Sequence, residues 1–250
     1  MPVQGEFFQN PGSGAAAFYD YQIQKSIRIR KGDGSYLASP TVSSSNNTKY
    51  SLSFWVKRSQ LSYASCIVTG SEHGGHQHQF DSDDTYRQAS FGTLDTDPNV
   101  FQDNSGWYHF FIKNGTSDGT GAIYVNGVNQ TLSTNTWGNV GYFVNGSKIQ
   151  IGASNNGTYM FDGYIAEMNA FYDQTKAHTD FGEFKNGVWI PKEYSGSFGN
   201  SLDFQLKFLQ TGTSADASGI GADTSGNGNH FSVVSMTAAN VTLDSPTFGT

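Results

Sequence analysis

Apolar and polar residues alternate with a period of two through most of this chain. Tyr50, Leu52, Phe54 and Val56 stand opposite Ser51, Ser53 and Trp55, the pattern of a strand with one face in a core. Earlier, Ile23, Ile27 and Ile29 alternate with polar residues, and later Leu202, Phe204, Leu206 and Phe208 do the same. Ala64–Thr69 is a short apolar run that predicts a buried strand. Gln77–Phe80 and Thr85–Phe91 flank Asp81–Asp84, which reads as a hairpin turn. Asn126-Gly127 between Ile123–Val125 and Val128 is a stronger hairpin signal, because both turn residues tolerate positive φ. Further strands are predicted at Trp107–Lys113, Lys148–Gly152 and Tyr164–Tyr172. One short helix is expected over Thr175–Phe184, where Asp180 and Glu183 have capping-box spacing. About a dozen short strands with almost no helix predict an all-β sandwich or barrel.

The organisation predicted is one domain with two peripheral ends. Residues 1–20, with Phe7, Phe8, Pro11, Gly12, Phe18 and Tyr19, read either as a frayed end or as an aromatic arm seeking a neighbour. Residues 21–236 form the sandwich, and 237–250 a C-terminal tail.

Composition narrows the function classes. Charged residues make up 14% of the 250, against about 25% in average domains, while the 30 glycines fit many turns. The net charge of −7 and the absence of a basic patch argue against nucleic acid. Arg28-Arg30-Lys31 and Lys57-Arg58 are expected on solvated strand ends. No run approaches the ~20 apolar residues of a spanning helix, so no membrane insertion is expected. Cys66 is the one cysteine and cannot form an internal disulfide, which suits folding in a reducing cytoplasm. Met1–Gly14 lacks the basic start and apolar run of a signal peptide.

Five short motifs then occur in order: Ser53-Phe-Trp-Val-Lys57, Trp107-Tyr-His109, Ile123-Tyr-Val-Asn-Gly127, Ile151-Gly152 and Phe161-Asp-Gly-Tyr-Ile-Ala-Glu167. The series resembles the laminin-G-like branch of the concanavalin A-like lectin/glucanase superfamily. That resemblance implies an antiparallel β-sandwich of jelly-roll form over residues 21–236. Asp223-Thr-Ser-Gly-Asn-Gly-Asn229 is similar to a loop that opens such domains, yet here it lies near the C-terminus, which implies a permuted strand order. With Phe18-Tyr-Asp-Tyr-Gln-Ile23 and Gly187-Val-Trp-Ile-Pro-Lys192, the chain resembles versions in structural proteins of tailed phages and cyanophages. The resemblance implies a non-enzymatic virion-surface protein, a capsid decoration or tail-fibre component, assembled in the host cytoplasm without a signal peptide. Its expected partners are cell-surface glycans or other virion proteins, and it is expected to be a homo-oligomer, a trimer by resemblance. A secreted carbohydrate-binding module is the alternative.

Glycoside hydrolase chemistry is expected less. It needs two carboxylates facing each other across a sugar bond, and no run of acidic residues at i, i+2 and i+4 is present; Glu167 is expected to be structural. Sugar recognition would pair aromatic rings with amides, and Trp137, Tyr142, Asn155, Asn156 and Tyr159 are the candidates, each of which could equally cap a core edge. His76 and His78 share a strand face and could chelate a transition metal, with Glu72 or His73 as a further ligand, or else simply be solvated. Asp223, Asn227 and Asn229 could hold Ca²⁺, with Asp162 as a companion by family position, or could form a glycine loop rich in Asx turns.

Overall fold

The computed structural model describes residues 18–43, 49–71, 76–89, 93–98, 100–115, 121–136, 143–154, 157 and 159–247. In chain order the strands are β1 Ser26–Ile29, β2 Tyr36–Thr41, β3 Lys49–Arg58, β4 Ser65–Thr69, β5 Gln77–Phe80, β6 Tyr86–Ala89, β7 Thr93–Thr96, β8 Tyr108–Gly115 and β9 Ala122–Val125. They continue as β10 Val128–Asn129, β11 Leu132–Asn135, β12 Lys148–Ile151, β13 Gly163–Tyr172, β14 Gly182–Lys185, β15 Val188–Pro191, β16 Phe204–Leu206, β17 Ser232–Val234 and β18 Val241–Thr242. Among the described residues there is no α-helix. Sheet A runs β10-β9-β8-β3-β13-β1-β18, with β16 also on β13, and sheet B runs β11-β7-β6-β5-β4-β12-β2-β17. A two-stranded ribbon, β14-β15, lies outside them. The fold is the expected antiparallel sandwich.

The main core fills the space between the sheets. Tyr50, Leu52, Phe54 and Val56 of β3 enter it, as alternation predicts, with Phe110, Ile112, Ile151, Ile165 and Phe204. The other face of β3 differs from expectation. Ser51, Ser53 and Trp55 are buried as well. Trp55 packs with Ile23, Ala166 and Trp189, and Phe111 and Phe171 pack with Phe181. The chain from 174 to 198 thus forms a third layer over sheet A. Period two cannot show this, because serines can fill a buried face once their hydroxyls are bonded. Ser51 Oγ–H donates to Gln174 O at 3.2 Å and accepts from Lys176 N–H at 2.8 Å.

The expected helix over 175–184 is instead a 3₁₀ turn, His178–Asp180, followed by β14. Asp180 caps the turn, accepting from Ala177 N–H at 2.9 Å. Asn186-Gly187 then turns the chain with φ of 52° and 81°, as Asn126-Gly127 does with 46° and 77°. Gly127 is required twice over, since a Cβ there would overlap the Trp189 indole. Gly163 lets β13 pass beside β3: a Cβ would sit 2.3 Å from Lys57 O.

Two further expectations change. Residues 237–250 are not a peripheral tail as far as they are described, to Thr247: β18 pairs with β1, and Ser245 and Thr247 are buried. With β17 on β2, the last strands close both sheets against the first ones, in keeping with a permuted order. Residues 1–17 of the arm lie outside the described residues. Arg58, expected on a solvated strand end, is fully buried and ion-paired with Asp84 at 2.7 Å. Its guanidinium also donates to Phe101 O at 2.7 Å and lies over the Phe80 ring, 4.1 Å from the centroid. The pair ties the end of β3 in sheet A to the β5–β6 turn of sheet B, where Asp84 adopts φ 60°. Arg58→Ala would leave that carboxylate buried and unpaired. The expected loss is about 3–5 kcal/mol, read as a lower urea midpoint with an unchanged denaturant slope.

Candidate functional site: the open face of sheet B

Among the described residues, the centre of sheet A is covered on both faces, and an open sheet surface lies on sheet B, on its β5–β6–β7 side. There Gln77, Gln79, Arg87 and Ala89 are half-exposed, alternating with buried His78, Phe80, Tyr86 and Gln88. Cross-strand register aligns Cys66 with Gln79, Gln79 with Arg87, Arg87 with Asp95, and Asp95 with Thr134. Residues paired this way share a face and lie within about 5.5 Å of each other, so Gln79, Arg87, Asp95 and Thr134 form a transverse polar row, with Asp95 itself only 8% exposed beneath Arg87. Arg87 binds Asp81 at 2.7 Å and Asp95 at 2.9 Å, and these bonds to carboxylates raise its pKa further. Gln77 Nε2 donates to Ser154 Oγ.

At one end of the row stands Tyr159, 44% exposed. Its carbonyl accepts from Cys66 N–H at 3.2 Å, which docks it against β4. Near that end of the row, an exposed aromatic ring and, on the strands, amide and guanidinium groups are the kinds of group that stack on an apolar sugar face and bond its hydroxyls. Of the residues predicted for sugar recognition, Trp137, Tyr142, Asn155 and Asn156 lie outside the described residues, and Tyr159 is placed here. Gln79, Arg87 and Asp95 were missed. Their signal was the polar half of the alternation in 77–95, which reads as a plain solvated face until register brings it together.

The other candidates take different places. His76 and His78 do share a face, but it is the core face: they are 7% and 0% exposed. His78 Nε2 lies 3.3 Å from Tyr50 Oη and Nδ1 lies 2.9 Å from Tyr86 Oη, so both ring nitrogens are engaged. Burial lowers its pKa to about 3, which keeps it neutral. The suggested companions Glu72 and His73 lie outside the described residues. Among the described residues no three His, Cys, Asp or Glu side chains are grouped to hold a metal.

In the 223–229 loop, both carboxylate oxygens of Asp223 are engaged by protein donors. Asp223 Oδ1 accepts from the N–H groups of Gln205 and Ser225, both at 2.9 Å. Its Oδ2 accepts from Asn229 N–H at 2.9 Å and from Ser225 Oγ–H at 2.8 Å. Asn227 and Asn229 turn their amide nitrogens to Asp203 O, both at 3.0 Å. Asp162, the companion by family position, pairs with Arg28 at 2.7 Å instead. The arrangement is an Asx-turn-rich glycine loop.

His109 and Ser53, 2.9 Å apart, have the composition of a nucleophile and base. Their protons run the wrong way. Trp189 Nε1–H donates to His109 Nδ1 at 3.0 Å, so the neutral ring carries its proton on Nε2 and donates to Ser53 Oγ. Burial, with His178 nearby, lowers this histidine to about 3.

Residues 31–178 match the laminin G-type model of the concanavalin A-like lectin/glucanases superfamily, and the chain belongs to that superfamily. No curated protein matches it. Among solved structures, a Bacteroides ovatus ATCC 8483 protein proposed to bind carbohydrate superposes with a TM-score of 0.65 at 16% identity, over 90% of this chain and 62% of that one. The chain therefore spans less than two thirds of that relative. A heptameric SAP-like pentraxin from Limulus polyphemus gives 0.47 at 14% identity, over 63% of this chain and 80% of its own. Domain 4 of AbnA, a GH43 extracellular arabinanase from Geobacillus stearothermophilus, solved with arabinotriose, gives 0.45 at 23% identity, over 64% and 75%. At 16% identity the likeness to the Bacteroides ovatus protein is one of fold.

Two predictions follow from the buried groups. Asp223→Ala removes an acceptor for four donors, and the expected loss is about 2–4 kcal/mol, visible as a lower midpoint of thermal unfolding. Glu167, 5% exposed, has its pKa raised by burial from 4.5 to about 7. The folded chain therefore binds this proton more tightly than the unfolded chain, and the fold is penalised progressively as pH rises from about 4.5 to 7. Glu167→Gln should match the parent at pH 4 and exceed its stability at pH 8 by about 3 kcal/mol.

Proposed function

We propose that this chain is a non-enzymatic, lectin-like module of a virion surface, a capsid decoration or tail-fibre component that recognises host-surface glycans through the open face of sheet B. The observation that carries the glycan reading is the transverse row of Gln79, Arg87 and Asp95 ending at the exposed Tyr159 ring. Membership of a lectin/glucanase superfamily supports it, as does the superposition on a protein proposed to bind carbohydrate. The non-enzymatic reading rests on the acids of this face. Asp81 and Asp95 are both ion-paired with the Arg87 between them, the opposite of the apolar setting that lets a carboxyl keep a proton for a leaving group.

A second reading, binding to other virion subunits, is favoured by the ribbon on the far side. Phe184 and Val188 are 57% and 50% exposed there, beside the buried Trp189, and exposed apolar clusters mark contact surfaces. The virion setting and the homotrimer are proposals from the family resemblance, and a monomeric mass in light scattering at micromolar concentration would contradict the trimer.

Labelled protein mixed with host envelopes, and separately with particles stripped of it, separates the two readings. The glycan reading predicts envelope binding that free oligosaccharides compete away and that falls about tenfold in Tyr159→Ala and Gln79→Ala, with thermal midpoints within about 2 °C of the parent. That loss corresponds to about 1.4 kcal/mol. Binding confined to particles, and lost in Phe184→Ser, would favour the subunit reading.

A further inference from the structure

The face opposite the polar row holds an acidic cleft that neither the fold nor the glycan reading requires. β13 bulges between Ala166 and Asn169 where it pairs with β3. At the bulge Glu167 adopts φ 37°, a conformation L-residues with long side chains rarely hold. Such strain persists where the surroundings impose it, and it concentrates at functional sites. The Glu167 side chain is buried, yet it borders a cleft of about 150 Å³ lined also by Tyr21, Gln22, Gln24, Glu193 and Lys207. That volume is about five times the share of one liquid water.

The charges around this cleft do not balance. Glu167 Oε2 accepts from Tyr21 Oη–H at 2.6 Å, and Asn169 also bonds the carboxylate. Lys207, the cation lining the cleft, is ion-paired with Glu193 at 3.0 Å. Lys25, the next cation along the same segment, donates to Leu209 O at 3.0 Å. Among the described residues, two carboxylates therefore face one ammonium, and that ammonium is committed to the more exposed of the two. Burial raises the Glu167 pKa to about 7, with the Tyr21 bond and Lys207 lowering it and Glu193 raising it.

We propose that this cleft is a binding site for a protonated amine, seated against Glu167 with the Tyr21 ring as one wall and Gln22 and Gln24 at the rim. A compact ammonium supplies the missing charge and up to three donors, and the second carboxylate stays with Lys207. The site is independent of the glycan face and would serve an aminated ligand or a lysine side chain equally.

The test uses the full chain at pH 8, where Glu167 is ionised, followed by amide NMR. The titrants are ethanolamine hydrochloride, its neutral counterpart ethylene glycol, and calcium chloride. Saturable shifts at Tyr21, Gln24, Glu167 and Lys207 are expected with ethanolamine alone. Glu167→Gln, whose dispersed spectrum would report an intact fold, should weaken binding at least tenfold. Lys207→Met, which removes the competing ammonium, should tighten it several-fold. Equal shifts with ethylene glycol, tighter binding of calcium, undiminished binding in Glu167→Gln, or weaker binding in Lys207→Met would each overturn the assignment.

Discussion

Burial of sheet A on both faces is the constraint on which the rest of this molecule rests. β3 and β13 pair along eight registered positions at its centre, and side chains leaving either face are removed from water. One face meets sheet B across the main core. The other must be covered by something, and the chain from 174 to 198 does so. Trp189 is the keystone of that cover. Its indole lies over His109, 5.8 Å between ring centroids, and donates to it, while Gly127 and Gly182 leave room for it. Burying a residue of this size is worth about 3 kcal/mol or more. Apart from the cleft beside Glu167, a sheet sealed in this way offers no broad open face, and the open polar face is left to sheet B.

The two sheets are also tied at their rims. The Arg58–Asp84 pair fixes the β5–β6 hairpin to the end of β3, and that hairpin carries Gln79 and Arg87. The side chains proposed to read sugars therefore stand on rigid strands held by a buried ion pair, so their spacing is set before any ligand arrives. Recognition from a preset surface avoids the cost of ordering loops on binding.

Much of the fold was legible in the chain because alternation and turn chemistry agreed. Tyr50 to Val56 pointed inward as the pattern required, and Asn126-Gly127 formed its hairpin. The third layer was not legible for a physical reason. Ser51 and Ser53 read as solvated, yet a serine is equally content in a buried face once Gln174, Lys176 and His109 bond it. Asn186-Gly187 was the local signal for the β14–β15 hairpin, and it was masked by the capping-box spacing of Asp180 and Glu183 just before it. Arg58 misled in the same sense, since a basic pair at a strand end gives no sign of a buried acid 26 positions away. At the candidate site, Tyr159 could be picked out as a loop aromatic, whereas Gln79, Arg87 and Asp95 come together only through strand register. His76 and His78 showed the converse: their shared face was read correctly, but period two alone does not say which face is the core.

The central claim is that glycans are read on the β5–β6–β7 face of sheet B. It is tested most directly by mapping amide NMR shifts on the full chain as the tightest oligosaccharide from a glycan array is added. The account predicts shifts concentrated at Gln77, Gln79, Arg87, Asp95 and Tyr159, with the third layer over sheet A unmoved. Shifts concentrated instead on the 178–198 layer or on the 223–229 loop, with the sheet B row unmoved, would contradict it.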